Sequence, residues 1–105
     1  MRYTLRQLEV FLVTANYENV SRAAKDLAMS QSAASGALKE LEEQFGVKLF
    51  DRVGKRLHLN ELGKRLRPQA ESLLAQARAF EQAMQDEDVA GQLQVGATLT
   101  IGNYL

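Results

Sequence analysis

The sequence contains no cysteine and only one histidine among its 105 residues. Without cysteine the chain can form neither a disulfide framework nor a zinc finger, and a single histidine leaves few ligands for a transition metal. A chain without cysteine also fits the reducing cytoplasm. We therefore expect a cytoplasmic protein without a metal site.

Long apolar runs are also missing. The opening residues MRYTLRQLEVF carry Arg2, Arg6 and Glu9, so they resemble neither a signal peptide nor a membrane span. Apolar residues nevertheless make up 46% of the chain, which is typical of globular proteins. These features predict a soluble protein, about one domain in length, with no membrane partner.

The chain has no net charge, because 13 basic residues balance 13 acidic ones. The two signs are unevenly placed, however. Residues 1–68 hold twelve Lys or Arg and eight Asp or Glu, a net charge of +4, whereas residues 69–105 hold one Arg and five acids, a net charge of −4. The basic front part keeps nucleic acid open as a partner, although the average charge would argue against it.

Three early segments carry apolar residues at helical spacing. The stripes are Leu5, Leu8, Phe11, Leu12 and Ala15; Val20, Ala23, Ala24 and Leu27; and Ala34, Ala37, Leu38, Leu41 and Phe45. Each stripe predicts one buried helical face. Ser30 has the chemistry to cap the third helix, and Gly46 supplies its stop signal.

A short hairpin is predicted next. The runs VKLF, at residues 47–50, and RLHL, at residues 56–59, bracket the turn-forming stretch DRVGK. Glycine and charged residues between two short apolar runs favour an antiparallel pair of strands. This pair would form a small wing.

A long fourth helix follows, with Asn60 as its predicted cap. Its apolar positions alternate steps of four and three residues: Leu66, Ala70, Leu73, Ala77, Phe80 and Met84. Such a heptad seam needs a partner, most simply a second copy of the chain, and predicts a homodimer. The alternative is packing on the chain's own first helix, and the seam could also divide its length between both. Pro68 is expected to bend the helix or to mark an irregular first turn.

The last part of the chain predicts a change of structure. QDEDVAG, at residues 85–91, is a polar break, and Leu93, Val95 and Ala97 then alternate as in a strand. A lone strand has no sheet to join. We expect residues 91–105 to be the truncated start of a second domain in a longer protein.

The third helix, SQSAASGALKELEEQF, carries unusually small residues in its first two turns. Ser32, Ser35, Gly36 and Lys39 are spaced to share one face, opposite the apolar stripe. Helices with such a small-residue face can approach base edges in the DNA major groove. Together the elements predict a mainly α fold: a winged helix-turn-helix at residues 1–60, with three helices and a two-stranded wing, then a long linker helix and hinge at residues 61–90.

The segments LRQLEVFLVTA, SRAAKDLAMSQSAAS, LKELEEQFGVKLFDR and LNELGKRL resemble the N-terminal domain of LysR-type transcriptional regulators. The resemblance covers residues 3–90. It implies a bacterial, sequence-specific regulator that binds an interrupted inverted repeat in double-stranded promoter DNA as a homodimer. It also implies tetramers of the full-length protein, a small-molecule effector bound by a C-terminal domain, and no cofactor in the present residues.

The resemblance also implies the DNA-binding residues. Gln31, Ser32, Ser35 and Gly36 fall where the family contacts bases or nearby backbone, and Ser21 falls where phosphate contact is usual. Arg52, Lys55 and Arg56 would reach the flanking backbone or minor groove. Lys39 is a phosphate candidate from its helical position.

Two positions depart from the family pattern. Ser32 stands where a proline is common, and Gly36 stands where an arginine is common. An arginine at the second position could read guanine through two hydrogen bonds. Base specificity would here rest on Gln31, Ser35 and indirect readout.

Two other classes of function rival DNA binding. An enzyme is disfavoured, because the acidic residues cluster in helical surface stretches without a paired histidine or nucleophile. A winged helix that binds a protein partner, or that only dimerises, stays open because fold does not dictate function. Lys39, Lys48 and Lys64 could equally be solvated surface charges. His58 is assigned no role.

Overall fold

The computed structural model describes residues 2–94, with side chains placed for residues 2–86. The elements follow the order α1 (Leu5–Tyr17), α2 (Val20–Asp26), α3 (Gln31–Phe45), β1 (Phe50–Val53), β2 (Arg56–Leu59) and α4 (Glu61–Gln94). The two strands pair antiparallel. This arrangement confirms the predicted mainly α, winged helix-turn-helix fold. By packing, the described residues divide into two units, residues 2–74 and the described residues from 75 onward.

Within residues 2–94, each of the four helices begins at a polar side chain that caps its first turn: Thr4, Asn19, Ser30 and Asn60. Ser30 Oγ accepts the Ala33 N–H at 3.1 Å. Gly46 ends α3 in the left-handed conformation with φ +63°. The predicted caps at Ser30 and Asn60 and the predicted stop at Gly46 are therefore confirmed.

The core of the first unit lies where α1, α2 and α3 pack on one another. Ala23 and Ala24 of α2 are buried there, and their small side chains let the helices approach closely. Phe11 of α1 packs edge-on against Phe50 of β1, with ring centroids 5.8 Å apart. This contact attaches the wing to the helical core.

The wing differs from the prediction in the position of its first strand. The sequence placed that strand at residues 47–50, whereas β1 covers Phe50–Val53 and pairs Phe50 with Leu59. Residues 51–53 are exposed, so no apolar pattern marked them as a strand. The turn is consequently only two residues long, with Gly54 at φ +63°. Leu49, predicted to be in the strand, instead enters the core.

The fourth helix is longer than predicted and runs unbroken through Pro68 to Gln94. The polar break expected at residues 85–91 is wrong, because these residues are helical. Leu93, assigned by the sequence to a strand, also lies in α4. The rest of that predicted strand, including Val95 and Ala97, lies outside the described residues. Among the described helices, none is both long and apolar enough to cross a lipid bilayer.

The heptad seam of α4 lies partly in the core and partly at the surface. In the first unit, Leu66 packs against the core and Ala70 is only 4% exposed, whereas Leu73 is 42% exposed. In the second unit, Phe80 and Met84 are 66% and 55% exposed, and Ala77 is half-buried. Part of the seam thus serves the chain's own core, as the alternative interpretation allowed.

One residue of the α3 stripe does not lie in the core. Phe45 is 59% exposed, although the sequence grouped it with the buried residues Ala34, Leu38 and Leu41. It is the last residue of α3, and its ring lies 6.1 Å from that of Tyr3 near the start of the chain. Helical spacing correctly placed it on the apolar face, but that face extends beyond the core.

Candidate nucleic-acid interface

The exposed face of α3 is the first part of the candidate interface. Gln31 is the first residue of the helix, and Ser32, Ser35, Gly36 and Lys39 follow on the side away from the core. All five side-chain positions are exposed. No acidic residue lies in the first turn, so nothing there offsets the partial positive charge of the helix N-terminus.

The middle of this face is open at Gly36. A Cβ atom built there would have no neighbouring heavy atom within 4 Å, apart from its own local helix. The glycine is therefore not required by packing within the chain. An exposed glycine inside a helix lowers the stability of the helix by roughly 1 kcal/mol relative to alanine. At this expense in stability, Gly36 leaves room for another surface to approach the helix.

The second half of α3 is acidic. Lys39 Nζ lies 3.9 Å from Glu43 Oε2, one helical turn further on. Glu43 therefore partly offsets the charge of Lys39. Glu40, in the same half of the helix, accepts a hydrogen bond from the buried Gln7 side chain at 2.9 Å, which links α3 to α1. A phosphate backbone would be attracted to the first two turns of α3 rather than to its last two.

Helix α2 contributes exposed residues at its start. Ser21, which is predicted to contact phosphate, is the second residue of the helix and is exposed. Arg22 follows it, with its guanidinium 5.6 Å from the centre of the Tyr17 ring. Stacking of this kind restricts an otherwise flexible arginine. Arg22 is a further candidate for a phosphate contact, which the sequence analysis did not include.

The wing presents its basic residues at and beside the turn. Arg52 and Lys55 are exposed, and within the described side chains no acidic group forms an ion pair with either. Arg56 differs, because its Nε lies 3.6 Å from Glu18 Oε1 at the end of α1. Of the three predicted wing contacts, Arg52 and Lys55 are therefore the better placed to meet a phosphate.

Across residues 2–86, no group of three or more histidine, cysteine, aspartate or glutamate side chains is arranged to hold a metal ion. The chemistry offered by the described surface is hydrogen bonding from small polar side chains, flanked by basic side chains.

Comparison with known proteins agrees with this geometry. The family model described as "Bacterial regulatory helix-turn-helix protein, lysR family" matches residues 5–64, more than half of the chain. The chain belongs to the LysR family. The match covers α1, α2, α3, both strands and the start of α4. It therefore includes every predicted DNA-binding residue.

Individual LysR-family relatives extend the similarity. The uncharacterized HTH-type transcriptional regulator YeiE of Escherichia coli K12 is 50% identical over 105 residues, which are 100% of this chain and 35% of YeiE. Among solved structures, the OxyR C206 mutant of Corynebacterium glutamicum has 34% identity and a TM-score of 0.78, over 82% of this chain and 28% of that one. DarR of Vibrio fischeri in complex with DNA has 34% identity and a TM-score of 0.77, over 84% and 30%.

Within this LysR-type domain, the predicted site residues come from separate elements. Five of them lie at exposed positions of α3, Ser21 lies on α2, and the other three, all basic, lie on the wing. Sequence reasoning missed Arg22 and the contact between Arg56 and Glu18. Arg22 could have been found from its place beside Ser21, whereas the Glu18 contact joins residues 38 positions apart and left no local signal.

Proposed function

We propose that this chain binds double-stranded DNA sequence-specifically and serves as the DNA-binding part of a transcriptional regulator. The exposed, small-residue face of α3 carries the proposal, because it is held outward by the buried stripe of Ala34, Leu38 and Leu41. Gln31 and Ser35 would contact base edges, and Arg52 and Lys55 the flanking backbone. The similar DarR of Vibrio fischeri is known in complex with DNA, which supports DNA binding by this chain.

We further propose that the chain acts as a homodimer. The first unit has an apolar groove of about 460 Å³, whose lining includes Tyr3, Phe45, Leu66 and Leu73. Phe45 and Leu73 are exposed and line this same groove, and a contiguous exposed apolar patch marks an interaction surface. A second copy is the simplest partner, since the same α4 also exposes Phe80 in the second unit. Two copies would then present two reading helices to the two halves of an inverted repeat.

The homodimer can be tested with a charge placed in the seam. We expect Leu73→Glu to sediment as a monomer in analytical ultracentrifugation while keeping the wild-type circular dichroism spectrum. Ala75→Glu is the matched control, because it adds the same charge at an exposed position of α4 outside the heptad seam. A wild-type chain that sediments as a monomer, or a dimeric Leu73→Glu variant, would contradict this part of the proposal.

The full-length protein is proposed to bind a small-molecule effector outside the present residues, in the cytoplasm. This chain spans 35% of the length of YeiE, so effector binding and any tetramer would belong to the remaining part. No role for a cofactor is proposed in residues 2–94.

DNA binding can be tested by selecting duplexes from a random pool with the purified chain and titrating the enriched sequences with salt. We expect an inverted repeat whose half-sites lie about one helical turn, or a multiple, apart. Affinity should fall steeply with salt, because each phosphate contact releases a counterion. A folded chain that enriches no duplex would refute the proposal and make a protein partner the leading alternative.

A further inference from the structure

Glu18 occupies an unusual place between α1 and the wing. It follows the last residue of α1 with φ 57° and ψ 30°, the left-handed region in which a residue with a Cβ is strained. Its N–H donates to the Thr14 carbonyl at 2.7 Å, which ends the helix. Strain of this kind persists where the surrounding contacts fix the conformation.

Three consecutive residues of β2 contact Glu18. The Leu57 N–H donates to the Glu18 carbonyl at 3.0 Å. Glu18 Oε1 lies 3.6 Å from Arg56 Nε, and Oε2 lies 2.7 Å from His58 Nδ1. Since neighbouring side chains alternate along a strand, Arg56 and His58 extend from the same face of β2. One residue thus contacts both the backbone and one side-chain face of this strand.

The wing needs such an attachment. A two-stranded hairpin is marginally stable by itself, and residues 51–53 of β1 are exposed. Phe50 anchors one end of the hairpin by packing on Phe11. Glu18 holds the opposite strand to the end of α1. Helix α1 also packs on α3, partly through the hydrogen bond from Gln7 to Glu40, so the wing and the reading helix share one support.

We propose that Glu18 is a positioning residue that fixes the wing relative to α3 and thereby increases discrimination between DNA sequences. This rests on the proposed DNA-binding function. Arg52 and Lys55 lie at or beside the turn that joins the two strands, so their positions depend on how β2 is held. Arg56 would contribute to this positioning through its ion pair with Glu18, although its side chain is 68% exposed.

Removing the Glu18 charge has two opposing effects on DNA binding. Without this negative charge the protein repels the phosphate backbone less. Its affinity for DNA of unrelated sequence should therefore stay the same or rise. A loosened wing weakens the arrangement that fits the selected site. The expected signature is therefore a lower ratio of affinity for the selected duplex over a scrambled duplex, rather than a general loss of binding.

The experiment begins without DNA, on the full chain. We expect Glu18→Gln to accelerate amide hydrogen exchange at Leu57 and along the hairpin by about two- to fivefold, as for loss of an exposed charge pair. Exchange in α1 and α3 should be unchanged. In a His58→Ala background the same substitution should have a smaller effect, because one partner of the carboxylate is already absent.

Backbone strain is controlled with a matched pair of glycine substitutions. Ala28 has φ 56°, nearly the same as Glu18, and lies in the turn before α3. Ala28→Gly and Glu18→Gly both relieve left-handed strain, but only the second removes the contacts to Arg56 and His58. We expect faster hairpin exchange in Glu18→Gly and wild-type hairpin exchange in Ala28→Gly.

Unchanged hairpin exchange in both Glu18 variants would overturn the inference, whatever happens with DNA. Faster exchange with a wild-type affinity ratio would overturn the claim about discrimination. If the wild-type chain selected no duplex, the proposed DNA function would fail, while the exchange data would still decide whether Glu18 holds the wing.

Discussion

Gly63 offers the sharpest test of packing at the junction between the wing and α4. It is buried in the first turn of the helix, where an added Cβ would collide with the Leu49 carbonyl oxygen and lie 2.7 Å from Leu59 Cδ2. The Leu49 carbonyl cannot easily retreat, because it accepts the Asn60 N–H at 3.0 Å. Gly63→Ala must therefore push the first turn of α4 away from the Leu49 backbone, which lies immediately before β1.

The expected change in the free energy of unfolding is the difference between two opposing effects. Overpacking of a filled site costs about 1–3 kcal/mol, and contact with backbone favours the upper half of that range. Alanine is more favourable than glycine in a helix by at most about 1 kcal/mol. We expect Gly63→Ala to lower the free energy of unfolding by about 1–2 kcal/mol, which lowers Tm by several degrees in a domain of this size.

The assay is urea unfolding followed by far-UV circular dichroism, with Gly36→Ala as the control. Gly36 has open space around its Cβ position, so the same substitution should there raise the free energy of unfolding by up to about 1 kcal/mol. The two variants thus differ in the sign of the expected effect. A Gly63→Ala protein as stable as the wild type would refute the packing argument.

Three further substitutions test other features. Ser30→Ala removes the cap of α3 and should lower the free energy of unfolding by about 1 kcal/mol in the same urea assay; an unchanged midpoint would contradict this. Arg52→Gln should reduce the slope of log affinity against log salt concentration by roughly 1, since one phosphate contact is lost. Gly36→Arg should tighten binding or shift the preferred sequence toward guanine, with discrimination of about 1–3 kcal/mol. Equal affinities and preferences across a panel of duplexes would exclude that role for position 36.

The candidate interface was largely predictable from the sequence, because its signals are local. The spacing of Ser32, Ser35 and Gly36 against Ala34 and Leu38 requires only the period of a helix, and the structure places the two sets on opposite faces. The wing contacts were less predictable. Arg56 was interpreted as a DNA contact from its charge, whereas its nearest charged neighbour, Glu18, is supplied by a distant element.

The sequence by itself determined the number and order of the elements through residue 60, together with the caps of α3 and α4 and the end of α3. A cap is decided by side chains within three or four residues of the helix end, so Ser30, Gly46 and Asn60 could be identified without a fold. The family resemblance rested on the same short segments.

The tertiary structure decided which residues meet across the chain. It moved β1 to Phe50–Val53, left Phe45 exposed beside Tyr3, and divided the seam of α4 between core and surface. It also required glycine at position 63, where helix and wing backbones approach. These outcomes depend on packing between residues far apart in sequence, which neither helical period nor turn chemistry specifies.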